Sequence, residues 1–396
     1  MLRVRSGAIA RAMPVPTAIR PFRFVTAPRI VFGEGESGAL DRHAAWLGKR
    51  VLMVTDPGIV SLGLHERAAA SLGGRLVAVH DDVGPDPTRA MLDRAIDRAR
   101  ETGATGVVGF GGGSPLDVAK LTALIAGSGE DLDAAWGVDA AKGPRLPLAL
   151  VPTTAGTGSE VTPVSIITVG EGNGSAEKRG VSSPHLLPDL AVLDPALTYG
   201  LPRATTAATG IDAMVHAIEA YASRNANNNP VSKALAREAL VLLGENIEAA
   251  CEGERAARAP MLLGSMLAGQ AFANSPVAAV HALAYPLGGR FKVPHGLSNA
   301  VLLPHVLAFN AEDTIAKRAY AELAPLLGAG GSDGLIARLD ELAAACGLTA
   351  GMRALGVREE HLDAMAADAM RQTRLLVNNP RPLNEADARA IYEAAL

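Results

Sequence analysis

Four side chains in the second half of the chain could together hold a metal ion. Asp212 and His216 are four residues apart in a helical pattern, which places them on one face of a helix. Two further histidines, His281 and His295, lie among apolar residues, where an unpaired charge is costly. Three imidazoles and one carboxylate suit Fe(II) or Zn(II) and leave a position for a substrate oxygen. The set predicts a catalytic metal site, although each residue taken singly also fits an ordinary surface or core role.

A glycine-rich turn in the first half is typical of nucleotide binding. Gly111, Gly112 and Gly113 follow an apolar run and precede a helical pattern. Glycines let the backbone approach a pyrophosphate, whose charge is stabilised by N–H groups and the dipole of the following helix. Ser114 is predicted to be the N-cap of this helix, with Pro115 as its first residue. A triple glycine alone fits an ordinary strand-to-helix turn equally well.

Two further features favour NAD over NADP as the nucleotide. Asp56 ends an apolar strand pattern, where its carboxylate can accept a hydrogen bond from a ribose 2′-hydroxyl and repel a 2′-phosphate. This acid precedes the glycine turn, unlike the acid of a standard Rossmann unit. A second cluster, Pro152 to Glu160, offers hydroxyl groups and small residues that can approach phosphate or ribose, and it also fits a plain capped turn.

These motifs resemble those of the iron-containing, group III alcohol dehydrogenases, which share a dehydroquinate synthase-like fold. The resemblance runs from about Phe22 to the segment Asn378 to Pro382. It implies that Asp212, His216, His281 and His295 are metal ligands, and that a cleft separates a nucleotide domain from a helical metal domain. It also implies a homodimer. The cofactor-contact positions that it implies are Asp56, Gly111, Gly112, Gly113, Ser114, Asp117, Thr153, Thr154, Thr157, Thr162 and Lys178, and Lys120 belongs to the same pyrophosphate-loop motif.

The chain departs from the family pattern at a position that bears on proton transfer. Four residues after His281, many members carry a second histidine as a proton relay, whereas this chain has Tyr285. A phenol can pass a proton through its hydroxyl group, but an ordinary pKa of about 10 prevents it from acting as a base at neutral pH. Tyr285 is therefore the candidate relay. A milder departure is Asp86, where relatives often have asparagine.

The chain divides into two parts with different sequence patterns. Short β-rich runs alternate with helical patterns up to about residue 200, which is typical of a mostly parallel, Rossmann-like sheet covered by helices. Helical patterns follow, with breaks expected at Pro230, Pro260, Pro294 and Pro380. We predict a disordered tail over residues 1–20, an α/β NAD-binding domain over 21–200 and an all-α metal-binding domain over 201–396. The predicted strands are Arg50 to Thr55, Arg75 to His80, Gly106 to Phe110, Leu146 to Pro152, Thr162 to Thr168 and Leu190 to Leu193.

Composition restricts the partners and the location of the protein. The 396 residues carry a net charge of only −4, which gives no basic footprint for nucleic acid. No uncharged apolar run reaches the roughly 18 residues of a membrane span, so we expect no membrane partner. The only two cysteines, Cys251 and Cys346, provide neither a disulfide framework nor a multi-thiolate zinc site, and they favour a reducing cytoplasm.

Together, the residues and the resemblance predict reversible hydride transfer between NAD and a small alcohol or carbonyl compound, with the metal as a Lewis acid. One alternative is a fold relative with different chemistry, such as a lyase that uses NAD transiently. Another is reduction of a keto or aldehyde acid. Metal-dependent hydrolysis would need a carboxylate beside the metal, and the nearest candidate, Glu219, is expected to be an exposed surface acid.

Overall fold

A computed structural model describes residues 19–170, 177–349 and 351–396. Its strands lie in the first half of the chain and its long helices in the second half. The predicted division at residues 200 and 201 falls between the last strand, Leu190–Leu193, and the helix Arg203–Ala222. The predicted tail over residues 1–20 lies outside the described residues except for Ile19 and Arg20.

The first half is built on a six-stranded sheet in which all neighbouring strands are parallel. Its order is β1-β9-β6-β4-β2-β3. Strands β2, β4, β6 and β9 are buried along their whole length, as expected for a parallel sheet with helices on both faces. The strands of the chain are β1 (Ile30–Phe32), β2 (Val51–Val54), β3 (Leu76–His80), β4 (Gly106–Gly111), β5 (Gly137–Val138), β6 (Leu148–Pro152), β7 (Val164–Val169), β8 (Glu177–Ser182) and β9 (Leu190–Leu193).

A second, three-stranded sheet has the order β5-β8-β7. Strand β7, which corresponds to the predicted strand Thr162 to Thr168, pairs antiparallel with β8 and takes no part in the parallel sheet. Strand β8 was not predicted from the sequence, because its first four positions alternate between exposed and partly buried and its one buried residue, Val181, makes no apolar run of a central strand. This small sheet forms one wall of the cleft between the two halves.

The helices of the first half cover the faces of the large sheet. Thr88 caps the amphipathic helix α4, which buries Leu92, Ala95 and Ile96. The helices are α1 (Leu40–His43), α2 (Pro57–Ser61), α3 (Glu66–Leu72), α4 (Arg89–Glu101), α5 (Gly113–Ser128) and α6 (Leu132–Ala135).

Helix α5 begins earlier than the sequence predicts. Its N-cap is Gly112 rather than Ser114, and Pro115 is the third helical residue rather than the first. The reason is the backbone of Gly111, whose φ of +148° turns the chain directly into the helix and which a residue with a Cβ rarely adopts. The unpaired N–H groups at the start of the helix therefore belong to Gly112, Gly113 and Ser114, because Pro115 has no N–H.

The second half is helical. Asn229 caps α8 by accepting a hydrogen bond from Ser232 N, and Pro294 precedes α11, as the predicted breaks require. The break predicted at Pro260 is wrong, because α9 runs through this proline one turn after its start. Across the described ranges, no helix combines the length and apolar character needed to cross a membrane. The helices are α7 (Arg203–Ala222), α8 (Pro230–Cys251), α9 (Arg255–Asn274), α10 (Ala279–Phe291), α11 (His295–Asn310), α12 (Thr314–Leu323), α13 (Gly331–Ala345), α14 (Leu362–Met370), α15 (Thr373–Leu376) and α16 (Glu385–Ala395).

The two halves touch through a pair of glycines. Gly158 lies in the loop after β6, and Gly269 lies in α9. A Cβ added to Gly269 would lie 2.8 Å from the Gly158 Cα and 2.9 Å from its carbonyl oxygen. Only glycine allows the two backbones to approach this closely, so this contact sets the spacing of the halves beside the cleft.

We therefore predict that Gly269→Ala lowers the free energy of unfolding by roughly 1–3 kcal/mol, as overpacking of a tight contact does. Urea denaturation measures the change. Gly334→Ala in α13 is the matched control, because the nearest atom to its added Cβ is 3.6 Å away. Alanine should stabilise that helix by up to about 1 kcal/mol. Equal urea midpoints for Gly269→Ala and the parent protein would contradict the prediction.

Candidate metal centre and cofactor cleft

Three helices bring the four candidate metal ligands together. Asp212 and His216 lie one turn apart on α7, His281 lies on α10, and His295 is the first residue of α11. Ligand atoms of Asp212, His216 and His281 all lie within 4.8 Å of one another. Nε2 of His295 lies 3.7 Å from Oδ1 of Asp212, the same distance as Nε2 of His281. The four residues predicted from the sequence are therefore neighbours in space.

Hydrogen bonds orient two of the imidazole rings. Nδ1 of His281 lies 2.6 Å from Oε2 of Glu219, and Nδ1 of His216 lies 3.2 Å from the carbonyl oxygen of Gly156. Both partners accept a hydrogen bond, so each Nδ1 carries the proton and each Nε2 keeps its lone pair. Nε2 of His281 is buried and has no hydrogen-bond partner among the described residues. A buried lone pair beside a carboxylate fits a metal ion.

The charges of the cluster also fit a cation. Burial alone would raise the pKa of Asp212, but His216, His295, His281 and Asn299 outweigh burial and hold this pKa below its usual value. Burial lowers the pKa of His216 to about 3 and lowers the pKa of His295. Burial would lower the pKa of His281, but Glu219 and Asp212 outweigh burial and raise it. An ionised carboxylate beside the neutral rings of His216 and His295 is a protonation state in which such groups bind a metal.

Glu219 is buried, so the expectation of an exposed surface acid is wrong. Its carboxylate accepts hydrogen bonds from the backbone N–H groups of Ala278 (3.0 Å) and Val280 (2.7 Å), in addition to the His281 ring. These N–H groups lie at the start of α10, which has no side-chain cap of its own. Glu219 therefore caps α10 from α7 and fixes the His281 ring in the same contact. In the sequence, its spacing of three residues from His216 and seven from Asp212 indicates that Glu219 lies on the same helix face as these two residues.

Two further residues of the metal cluster gave no sequence signal. Asn299, one turn after His295 on α11, donates a hydrogen bond of 2.6 Å to Oδ1 of Asp212. The ring of Phe272 stacks on His216 with 4.4 Å between ring centroids. Both contacts join residues that are distant along the chain, so only the packing of α9 and α11 against α7 reveals them.

A cleft of about 620 Å³ lies between the two halves and contains the metal cluster. Candidate cofactor residues line its other side, which brings most of the predicted site residues into one cavity. Those that line it are Gly113, Ser114, Asp117, Thr157, Thr162, Lys178, Asp212, His216, His281, Tyr285 and His295. Those that do not line it are Asp56, Gly111, Gly112, Thr153 and Thr154.

The two predicted nucleotide loops pack directly on each other. A Cβ on Gly113 would lie 2.8 Å from the Thr157 side chain, and a Cβ on Gly112 would lie 3.6 Å from Thr154. Thr153 donates its backbone N–H to the carbonyl oxygen of Gly111. Close packing of glycines and threonines leaves the backbone N–H groups at the start of α5 available to a phosphate. These loops therefore suit a pyrophosphate.

Asp56 stands beside this glycine loop, because β2 and β4 are neighbours in the sheet. Its Oδ1 accepts a hydrogen bond of 2.9 Å from Ile59 N and caps α2. Its Oδ2 would lie 3.2 Å from a Cβ on Gly111. One carboxylate oxygen is therefore used within the fold, and the other faces the glycine turn.

A buried polar network supports the cofactor loops. The Lys120 ammonium group donates hydrogen bonds to Ser159 Oγ (2.7 Å), Thr162 Oγ1 (3.2 Å) and the Val164 carbonyl oxygen (2.8 Å). Burial lowers the pKa of Lys120 to about 8. Asp117 accepts hydrogen bonds from Ser159 Oγ and Ile166 N. The side chains of Asp117 and Thr162 are thus engaged inside the protein and hold the loops in place.

Two other candidate residues face the cleft. Lys178 on β8 forms an ion pair of 2.5 Å with Asp86, whose φ of +53° is tolerated by aspartate or asparagine. Tyr285 lies one turn after His281, with its ring centroid 6.1 Å from that of His295. Burial raises the pKa of Tyr285, so its hydroxyl keeps its proton at neutral pH. Tyr285 can donate a hydrogen bond into the cleft but cannot act there as a base.

Comparison with known protein families shows to which family the chain belongs. The model "Iron-containing alcohol dehydrogenase" matches residues 27–195, and the model "Fe-containing alcohol dehydrogenase family, C-terminal" matches residues 206–396. The chain belongs to the iron-containing alcohol dehydrogenase family. The predicted family, the predicted two-part fold class and the predicted oxidoreductase are therefore confirmed.

Individual members of this family resemble the chain over nearly its whole length. Long-chain-alcohol dehydrogenase 1 of Geobacillus thermodenitrificans is 41% identical over 390 residues, which cover 94% of this chain and 96% of that protein. The crystal structure of a 1,3-propanediol oxidoreductase has a TM-score of 0.89 at 33% identity and covers 95% of this chain and 100% of that chain. Sulfoacetaldehyde reductase of Bifidobacterium kashiwanohense, solved in complex with NAD+, has a TM-score of 0.85 at 27% identity, with coverage of 95% and 99%.

The contact between Glu219 and His281 leads to a prediction about this iron-containing alcohol dehydrogenase. Glu219→Gln places an amide where three N–H groups need an acceptor, and His281 can then take the tautomer that carries its proton on Nε2. We expect metal affinity to fall about 10- to 100-fold. Competition with a chromogenic chelator measures the dissociation constant, and circular dichroism shows whether the helices remain.

Glu322→Gln is the matched control. Glu322 is partly buried and, like Glu219, accepts a hydrogen bond, in this case of 2.7 Å from the Tyr221 hydroxyl group. This variant should bind metal as the parent does. Glu219→Gln could bind metal as tightly as the parent protein, or both variants could lose the same metal affinity. Either result would show that Glu219 does not position His281.

Proposed function

We propose that the chain catalyses reversible hydride transfer between NAD and a small alcohol or its aldehyde or ketone. The observation that carries the proposal is the shared cleft, in which the candidate metal ligands of the helical half face the glycine loop of the sheet half. Dinucleotide and substrate oxygen would then meet in one cavity. The proposed domains, residues 21–200 for NAD and 201–396 for the metal, follow the same division.

The metal would be held by Asp212, His216, His281 and His295, and we propose Fe(II), with Zn(II) as the alternative. One carboxylate and three imidazoles suit both ions. When bound, the metal and NAD supply Lewis acidity toward the substrate oxygen and a hydride acceptor. Glu219 and the Gly156 carbonyl oxygen keep two of the rings in the ligating tautomer.

The cofactor would lie along the Gly111 to Ser114 loop. Backbone N–H groups and the dipole of α5 stabilise the pyrophosphate charge, and Asp56 accepts from the ribose hydroxyl groups. The remaining predicted contacts come from Thr153, Thr154 and Thr157 in the second loop, together with Asp117, Thr162 and Lys178. NAD+ in the related sulfoacetaldehyde reductase supports this choice of dinucleotide.

Tyr285 would hold a proton next to the reacting oxygen. Its hydroxyl faces the cleft one turn from His281, and burial keeps it protonated. A donor at this position can hydrogen-bond to the substrate oxygen and pass its proton onward. Phe272 and Val277, which also line the cleft, exclude water from the same region.

A homodimer and a cytoplasmic location complete the proposal. Strand β1 is an edge strand, and the exposed side chains of Phe22 and Phe32 form apolar surface that a second copy would cover. Cys251 and Cys346 are free and buried, as expected for a reducing compartment.

Metal removal tests the proposed function. A chelator-treated preparation should lose NAD reduction, followed at 340 nm with 1-propanol and 1,3-propanediol, and should recover it with Fe(II) or Zn(II). Recovery with one ion only would choose between the two metals. A lyase that recycles NAD within each turnover gives no net NADH. If the metal-loaded enzyme formed no NADH with any neutral alcohol or any hydroxy acid tested, hydride transfer would be refuted. Undiminished turnover after metal removal would refute the metal's role.

Asp56→Ser tests the choice of dinucleotide. Serine is also a good N-cap, so α2 should stay intact while the charge that repels a 2′-phosphate is removed. We expect the ratio of kcat/KM for NADP to that for NAD to rise about 10- to 100-fold. Asp131→Ser, which changes another capping aspartate, is the control and should leave the ratio as it is. An unchanged ratio in Asp56→Ser would remove Asp56 from the ribose site.

A further inference from the structure

The charged side chains that line the cleft have partners with one exception. Lys178 is paired with Asp86, and Asp117 accepts hydrogen bonds from Ser159 and Ile166. Asp212 lies among the imidazoles. Arg374 also lines the cleft, yet no acid of the described residues lies within 4.0 Å of its guanidinium group. Among the described residues, Arg374 is therefore the one charged side chain of the cavity without a counter-ion.

Arg374 reaches from the helical half toward the small sheet. It belongs to α15, and its Nη2 would lie 3.5 Å from a Cβ on Gly180 in β8. Lys178 and Ser182, two residues to either side of Gly180, also line the cleft, as the alternation of a strand requires. Gly180 carries no side chain, and the Arg374 guanidinium occupies the space beside it. The cation thus lies at the boundary between the two halves.

The same guanidinium group shares the cleft with Tyr285 and the metal cluster. Its positive charge opposes the effect of burial on the pKa of Tyr285, and the Asp212 carboxylate acts on the same phenol. The surface around Tyr285 is apolar, with Val277 and Leu375 among the residues that line it. A substrate whose oxygen faces the metal cluster can therefore extend past Tyr285 over apolar surface toward Arg374.

We propose that Arg374 binds a carboxylate group of the substrate, so that the enzyme acts on short aldehydes that carry a terminal carboxylate and on the matching hydroxy acids. This inference rests on the proposed function. A guanidinium presents paired N–H donors that match the two oxygens of a carboxylate, and Arg374, although exposed, is one of the residues that line the cleft. Neutral alcohols of the same length lack this contact.

The test compares 4-oxobutanoate with its uncharged amide, which has the same length, as substrates for reduction by NADH. The parent enzyme should prefer the carboxylate, with the difference mainly in KM because binding at Arg374 is remote from the reacting carbon. In Arg374→Gln the ratio of kcat/KM for the carboxylate to that for the amide should fall about 10- to 100-fold. Arg374→Lys should restore part of the ratio.

Arg371→Gln is the matched control. Arg371 lies three residues away, pairs with Asp368 and does not line the cleft, so its loss should leave the substrate ratio unchanged. A parent enzyme that prefers the amide, or an Arg374→Gln variant that keeps the parental ratio, would overturn the inference. Arg374→Gln could instead change the ratio of NADP to NAD turnover and leave the substrate ratio as it is. That result would show that the guanidinium contacts the cofactor, and it would also overturn the inference.

Calorimetric binding of 4-hydroxybutanoate to the enzyme saturated with metal and NAD separates this inference from the proposed function. Weaker binding to Arg374→Gln than to Arg371→Gln supports the carboxylate site even if turnover is never observed. Equal binding to both variants overturns the site. If binding is equal and neutral alcohols are turned over, the proposed hydride transfer is supported and the carboxylate site at Arg374 is rejected.

Discussion

Folding removes the charged carboxylate of Asp212 from water, and the polar groups around it offset the free-energy cost of this desolvation. Three imidazoles and the amide of Asn299 surround the carboxylate and keep it ionised. Protein groups alone do not complete the set, because Nε2 of His281 is buried without a hydrogen-bond partner among the described residues. A divalent cation would satisfy both the charge and the lone pair. The packing of α7 against α10 and α11 can therefore be understood as the construction of one cation site.

The cation site and the cofactor loops are parts of one structure rather than two neighbours across a gap. The loop after β6 supplies Gly156, whose carbonyl oxygen bonds to the His216 ring, and Gly158, whose backbone touches Gly269 in α9. A Cβ on Gly156 would lie 2.6 Å from that of Thr209 in α7. A displacement of this loop would thus move the His216 ring and the proposed phosphate-binding backbone together. Close approach of glycines couples the positions of metal and nucleotide without any charged bridge.

Sequence spacing could predict contacts within one element but not contacts between elements. The four-residue spacing of Asp212 and His216 gave their shared helix face, and the glycines after an apolar run gave the turn between β4 and α5. Glu219 lies on the same helix, yet its burial depends on the N-terminus of α10, which the local pattern does not contain. The start of α5 depends on the unusual backbone of Gly111. That His281 and His295 meet near Asp212 was predicted from their residue types and apolar surroundings together with the family resemblance, because their spacing does not specify how α10 and α11 pack.

The two sides of the cleft differ in how their polar groups are satisfied, and this difference bears on specificity. On the cofactor side, Lys120 and Asp117 use their hydrogen bonds inside the protein, so a substitution there leaves a buried charge without partners. On the proposed substrate side, Tyr285 and Arg374 line the cavity, and a ligand can contact them without breaking an internal ion pair. We expect substitution of the exposed Arg374 to cost less folding free energy than substitution of the buried Lys120. A fold of this kind can therefore keep its dinucleotide chemistry constant while the alcohol or carbonyl compound that it accepts changes.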